Sequence, residues 1–231
     1  MLQAIELTKK YGDQPALDNL NLTVNPGEVF CLLGQNGAGK TTTINLFLGF
    51  IAATSGEARI NGTPVVAGDN RTKKHLAYIP EVVTLYPDLT SLENLDFFSR
   101  IAGFDYKKEQ LEIYLSRAGL QEDAFYKRVG NHSKGMRQKV GIAIAIAKNA
   151  SAILMDEPTS GLDPKATHDF TETVKKLAED NKSVFMATHD IFNAVNMATH
   201  IGIMRKGRLV HVLDARDISS DDVQRLYLET I

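Results

Sequence analysis

The stretch Gly34-Gln35-Asn36-Gly37-Ala38-Gly39-Lys40-Thr41 leaves few folds open to this chain. It fits the pattern of a phosphate loop: a glycine, four residues, then Gly-Lys-Ser/Thr. Such a loop works between a strand and a helix, and both are legible. Glu28-Val29-Phe30-Cys31-Leu32-Leu33 predicts a short buried strand, and Thr42-Thr43-Ile44-Asn45-Leu46-Phe47-Leu48 the first turns of a helix. The glycines let the backbone curl so that successive N–H groups point inward. The helix N-terminus behind them adds a partial positive charge that suits phosphate. Residues Gly34 through Thr42 are therefore candidate nucleotide-binding residues. Lys40 has the reach for β- and γ-phosphates, and the Thr41 hydroxyl can ligate Mg²⁺. The alternative is a chance glycine-rich turn, and the flanking strand and helix weigh against it.

The rest of the chain reads around that loop. Leu2 to Thr8 alternate like a half-buried strand, Lys10 to Asp13 turn, and Asn19 to Val24 form a second strand closed by Asn25-Pro26-Gly27. Thr54-Ser55-Gly56-Glu57 is expected to end the phosphate helix, with a strand at Ala58-Arg59-Ile60, a hairpin turn at Asn61-Gly62 and a further strand over Leu76 to Pro80. From about Val82 to Lys148 the character is helical. Ser91 is expected to cap a helix with Leu92, Leu95, Phe98 and Ile101 on one face. A second helix covers Lys108 to Ala118, and a third runs from Gly135 into the wholly apolar Gly141 to Ala147, whose end is expected to be buried. Strand and helix then alternate: Ala152 to Met155, Lys165 to Glu179, Ser183 to Ala187, Ile191 to Ala198, Ile201 to Met204, then a hairpin at Lys206-Gly207-Arg208 and a short C-terminal helix. Alternation of this kind predicts an α/β fold with a parallel sheet and helices on its faces.

With 231 residues, 43% of them hydrophobic, the chain can bury a real core. A net charge of −2 offers nothing to a polyanion, so nucleic acid is not an expected partner. The single cysteine, Cys31, falls in the predicted buried strand and reads as a structural thiol. The longest low-polarity run, Val140 to Ala147, is far short of a membrane span, and the N-terminus lacks the pattern of a secretory signal. These features predict a soluble protein of a reducing compartment, held at a membrane only if another chain holds it there.

Ala152-Ile153-Leu154-Met155-Asp156-Glu157 is an apolar strand ending in two acids. Strand ends at the carboxyl edge of a parallel sheet lie beside bound ligand. Asp156 is expected to hold Mg²⁺ and Glu157 to orient the attacking water, as in phosphate-loop ATPases. Together with Asn131-His132-Ser133-Lys134-Gly135-Met136-Arg137-Gln138, Ser160-Gly161-Leu162-Asp163 and Thr188-His189-Asp190, these residues make the chain resemble the nucleotide-binding subunit of an ABC transporter over essentially its whole length. The resemblance implies a phosphate-loop NTPase (RecA-like) core with an N-terminal antiparallel β subdomain and an inserted helical subdomain. It implies one ABC ATPase domain over 1–231, with the core at 1–81 and 149–231 and the helices at about 82–148. It implies two cassettes packed head to tail with ATP between them, the Ser133–Gly135 loop of one meeting the phosphate loop of the other and Asp163 reaching across. Tyr11 lies where the family stacks an aromatic on adenine, although a turn tyrosine is often simply half exposed. His189 matches the switch residue that contacts γ-phosphate and helps position Glu157. The expected partner beyond a second cassette is a transmembrane permease, docking over Val82 to Phe104, which places the chain peripherally on the cytoplasmic face of the cell membrane.

The chain departs from the family pattern in two places. Lys134 stands where the signature has its first glycine, and Met136 where it has glutamine; this variant resembles the branch serving ABC-2-type exporters. Lys134 either adds a charge near phosphate or points to water. Glu81 stands where a glutamine is usual, and is either a further oxygen ligand for Mg²⁺ or a solvated loop acid. Two other functions compete: a soluble cassette ATPase, for example of the iron–sulfur assembly type, and a degenerate cassette that binds ATP without turnover. Retention of Lys40, Asp156, Glu157 and His189 weighs against the second.

Overall fold

Alternating side chains open the chain as a hairpin. Leu2–Tyr11 (β1) and Gln14–Val24 (β2) pair antiparallel across a two-residue turn at Gly12 and Asp13. Both strands run further toward the turn than the apolar pattern predicts, because Lys10 and Tyr11 keep pairing with Pro15 and Gln14, all of them exposed. The computed structural model describes residues 1–231. Val29–Leu33 (β3) leads into the phosphate loop and then Lys40–Phe47 (α1). The helix stops earlier than expected. Gly49, at φ +66, bonds back to Leu46 O, and Ser55–Ile60 (β4) is already strand, paired to the other side of β1. Thr63–Pro64 (β5) completes an antiparallel sheet of order β2-β1-β4-β5.

Leu76–Ile79 (β6) is followed by three helices, Ser91–Ile101 (α2), Lys108–Arg117 (α3) and Lys134–Ala147 (α4). The cap of α2 is Thr90 rather than Ser91: its side chain accepts from Glu93 N while Glu93 accepts from Thr90 N, a reciprocal capping box. Ser91 is instead buried, its hydroxyl donating to Ala124 O and 2.7 Å from His132 Nε2. Of the face expected on α2, Leu95 is buried but Ile101 is exposed. Ala152–Asp156 (β7), Pro164–Glu179 (α5), Ser183–Thr188 (β8), Ile191–Met197 (α6), His200–Arg205 (β9), Arg208–Asp214 (β10) and Ser220–Thr230 (α7) follow. The hairpin expected at Lys206-Gly207-Arg208 is present, and its return strand, β10, runs on to Asp214 with half-exposed residues.

The second sheet has the order β10-β9-β3-β8-β7-β6, parallel except for β10. The expected α/β architecture with an antiparallel sheet at the N-terminus is present. Because both faces are covered, β3 and β8 are buried at every position. Their side chains divide by parity. Val29, Cys31 and Leu33 join a cluster of 29 buried residues that includes Leu95, Leu111, Leu115 and the apolar end of α4. Phe30 and Leu32 join a second cluster of 22, with β1, β2 and α1. Burial pushes the Cys31 thiol up to about 12, which suits an inert core thiol.

Candidate nucleotide-binding site

The register of the parallel strands decides where the chemistry collects. Leu33 pairs with Thr188, Asp156 with Ala187, and Ile79 with Met155, so four strands end along one edge. The phosphate loop leaves β3 there, Thr188-His189 leaves β8, Asp156-Glu157 leaves β7, and Glu81 follows β6. Gly39 caps α1 at φ +114, and a Cβ there would lie 2.7 Å from Ala16 O, so only glycine allows this turn.

A cavity of about 420 Å³ opens over this edge, lined by Ala16, Gln35, Asn36, Gly37, Gly39, Lys40, Thr41, Thr42, Glu81, Asp156 and Glu157. Lys40 is 6% exposed. Its Nζ donates to Gly34 O at 2.5 Å and to Gln35 O at 3.3 Å, and lies 3.8 Å from Glu157 Oε1. Burial lowers its pKa, and the charges of Glu157 and Asp156 oppose that shift. Burial also raises the pKa of Asp156, with Glu157 adding to the rise and the Thr41 hydrogen bond and Lys40 opposing it. Thr41 Oγ1 is 3.4 Å from Asp156 Oδ2. A hydroxyl and a carboxylate side by side at a phosphate cavity are hard oxygen donors, the kind Mg²⁺ takes while keeping most of its other positions for water and phosphate. The donor set fits that ion.

Glu157 is held from three directions. Thr188 Oγ1 donates to its Oε2 at 3.1 Å, His189 N at 3.3 Å, and His189 Nδ1 lies 2.9 Å from the same oxygen. The glutamate backbone sits at φ +44, a conformation uncommon for a side chain of this size. Its carboxylate also lines a second, larger groove of about 820 Å³ between α5 and α6, shared with His189 and Ser160. The contact of Thr188 with Glu157 is one that residue-by-residue reading passes over, because it depends on β7 and β8 being neighbours. The signal available was the place of Thr188 at the end of an apolar strand, directly before His189.

Several expected site residues lie outside the cavity. Ser133 Oγ accepts Met136 N–H at 3.3 Å and so caps α4, with Gly135 in the first turn. Asp163 Oδ1 accepts Ala166 N–H at 2.9 Å and caps α5. Tyr11 is exposed, with the Lys9 ammonium 5.1 Å from its ring centre. Glu81 does line the cavity, but its Oε1 accepts from Ser160 Oγ at 2.9 Å and lies 3.8 Å from Lys134 Nζ. Lys134 does not simply point to water: its Nζ donates to Ser160 O at 2.6 Å and lies beside Glu81 at the cavity wall. Lys134 and Glu81, one from each departure from the family pattern, thus meet each other.

Comparison with known proteins agrees with this geometry. The model of a family described as ABC transporter matches residues 17–160. The chain is 35% identical to the bacitracin transport ATP-binding protein BcrA of Bacillus licheniformis, over 99% of this chain and 74% of that protein. It is 34% identical to the Nod factor export ATP-binding protein I of Cupriavidus metallidurans, over 97% of this chain and 76% of that protein. Among solved structures, an ATP-binding cassette in a dimeric post-hydrolysis state bound to ADP and Pi superposes with a TM-score of 0.79 at 29% identity, covering 94% of this chain and 99% of that one.

Proposed function

The chain belongs to the ABC transporter family as an ATP-binding subunit, an ATPase that energises a transporter, and from that membership we propose that it drives an exporter of the ABC-2 type by closing and opening a pair of cassettes around ATP. The export of Nod factor by the system of one relative supports an outward direction. The related cassette solved as a dimer with ADP and Pi supports the pairing. No helix of the chain is long and apolar enough to cross a membrane; the proposal includes a transmembrane permease as partner. Its docking surface is the exposed apolar group Val82, Tyr86, Phe97 and Ile101, where Tyr86 and Phe97 stack edge to face at 4.8 Å. This arrangement holds the chain against the cytoplasmic face of the membrane. We read 1–231 as one ATPase domain, with the core at 1–81 and 149–231 and a helical subdomain at 82–148; the single cluster joining α2 to α4 with β3 and β7 supports that reading.

In this mechanism the chain positions groups rather than supplying covalent chemistry. Gly34 to Thr42 cradle the phosphates, and Lys40 faces the β- and γ-groups. Thr41 and Asp156 would hold Mg²⁺, whose contribution when bound would be to offset charge on the phosphate oxygens. Glu157 polarises the attacking water, held at the correct angle by Thr188 and His189. With Nδ1 on Glu157, the other ring nitrogen of His189 is left for the γ-phosphate. Tyr11 stacks on the base, and Ser133, Gly135 and Asp163 act on the nucleotide of the partner copy. The observation that carries the reading is the three-sided grip on Glu157 beside the phosphate cavity. Glu157→Gln is expected to lower ATP turnover by about a hundredfold or more with nucleotide affinity retained. Turnover at the parental rate in that variant overturns the assignment.

A further inference from the structure

Lys134 sits where helix electrostatics least favours a cation. It is the first residue of α4, at the end where aligned peptide dipoles leave a partial positive charge. Its side chain nonetheless folds inward, with Nζ 2.6 Å from Ser160 O and 3.8 Å from Glu81 Oε1, and Ser160 Oγ closes the triangle by donating to that carboxylate oxygen at 2.9 Å. One turn further along α4, the buried Gln138 donates to Pro80 O at 3.3 Å and Glu81 O at 3.1 Å. The backbone of Glu81 is therefore fixed, and its carboxylate remains a wall of the phosphate cavity together with Asp156 and Glu157. Before any cation binds, three carboxylates line that cavity against the single lysine Lys40, an excess of the wrong sign for the phosphates it receives. A lysine paired with the third carboxylate cancels the excess.

Building on the nucleotide-site reading above, we propose that Lys134 is a charge-compensating and positioning residue for this chain's own nucleotide site. It neutralises Glu81 toward the incoming phosphates and, through the Ser160 carbonyl, fixes the loop from Glu157 to Asp163. The role is distinct from any action of the α4 N-terminus on a partner's nucleotide, since every contact that defines it lies within one chain. An exposed ion pair of this kind adds little to folding stability. Its effect is expected on the binding of a polyanion, where one uncancelled charge at the cavity wall acts on several phosphate charges at once.

The test is titration with a fluorescent ADP analogue in EDTA at low ionic strength, which needs neither metal nor a second copy. If the parent chain binds no analogue, the nucleotide-site reading itself fails, an outcome distinct from any difference between parent and variants. Lys134→Ala is expected to weaken binding about fivefold, with the difference shrinking toward none at about 0.5 M salt. Lys134→Gln, which keeps a long polar side chain and removes only the charge, is expected to weaken it similarly. Adding Glu81→Gln to Lys134→Ala is expected to restore affinity to within about twofold of the parent. The inference is overturned if Lys134→Ala binds like the parent, or if the double variant stays as weak as the single, which is the outcome of a merely structural loss.

Discussion

Glu157 occupies a left-handed backbone conformation, at a cost on the order of 1–3 kcal/mol, and what it gains is a fixed carboxylate. Thr188 is the least replaceable of its partners, since one hydroxyl both donates to Glu157 and accepts from Asp190 N. Thr188→Val is expected to lower the turnover number about tenfold while the dissociation constant for ATP stays put; a change confined to binding counts against the role. His132 offers a different test. Burial, helped by the charges of Arg137 and Lys127, holds its imidazole below the ordinary range, and the hydrogen bond with the Ala124 backbone opposes that shift. The unfolded chain takes up this proton near pH 6.5 and the folded chain resists it, so folding stability falls as pH drops below about 6.5 and is flat above. Thermal unfolding at pH 5.5 against pH 7.5 is expected to show a lower midpoint in acid, and a smaller drop in His132→Gln. At this scale Lys40, Asp156 and Glu157 were legible because each sits at a fixed spacing from a strand end. Thr188, and the contact of Lys134 with Glu81, were not, because they depend on which strands and loops the fold makes neighbours.

Elements were legible where burial is one-sided or complete, as in β3, β7 and β8, and blurred where pairing outruns apolar content, as in the hairpin ends of β1 and β2. The misread end of α1 has a local cause. Residues 54–57 carry helix-stop residues, but they serve β4, which must bend around a bulge in β1. Gly56 is at φ +69, and a Cβ there would lie 2.2 Å from Glu6 O, itself in a strand residue at φ +49. The obstacle is backbone and cannot turn aside. Gly56→Ala is expected to destabilise the fold by about 3 kcal/mol or more, read as a lower denaturant midpoint with an unchanged slope. A loss below about 1 kcal/mol means that the two strands separate more easily than their pairing suggests.

For the whole molecule, the architecture and the edge where the site forms could be read from the alternation of strands and helices. The partner surfaces could not, since nothing in one chain's periodicity marks where a second chain sits. Ser133 illustrates this: within the chain it is a helix cap, with Oγ on Met136 N. In the proposed pair it also faces the other copy's nucleotide. Ser133→Arg is expected to leave single-copy ATP binding intact and abolish ATP-dependent pairing of the Glu157→Gln chain, as measured by light scattering. Pairing that persists in the variant excludes the head-to-tail arrangement.

The placement of β8 between β3 and β7 carries one further consequence. A single central strand is the ruler against which both the phosphate grip and the acid pair are measured. A slip of that strand by even one residue turns every side chain to the opposite face and misaligns both at once. Changes that shift its register, unlike the trimming of one hydroxyl at its end, should therefore not yield a protein that holds fuel but burns it slowly; they should yield one that does neither.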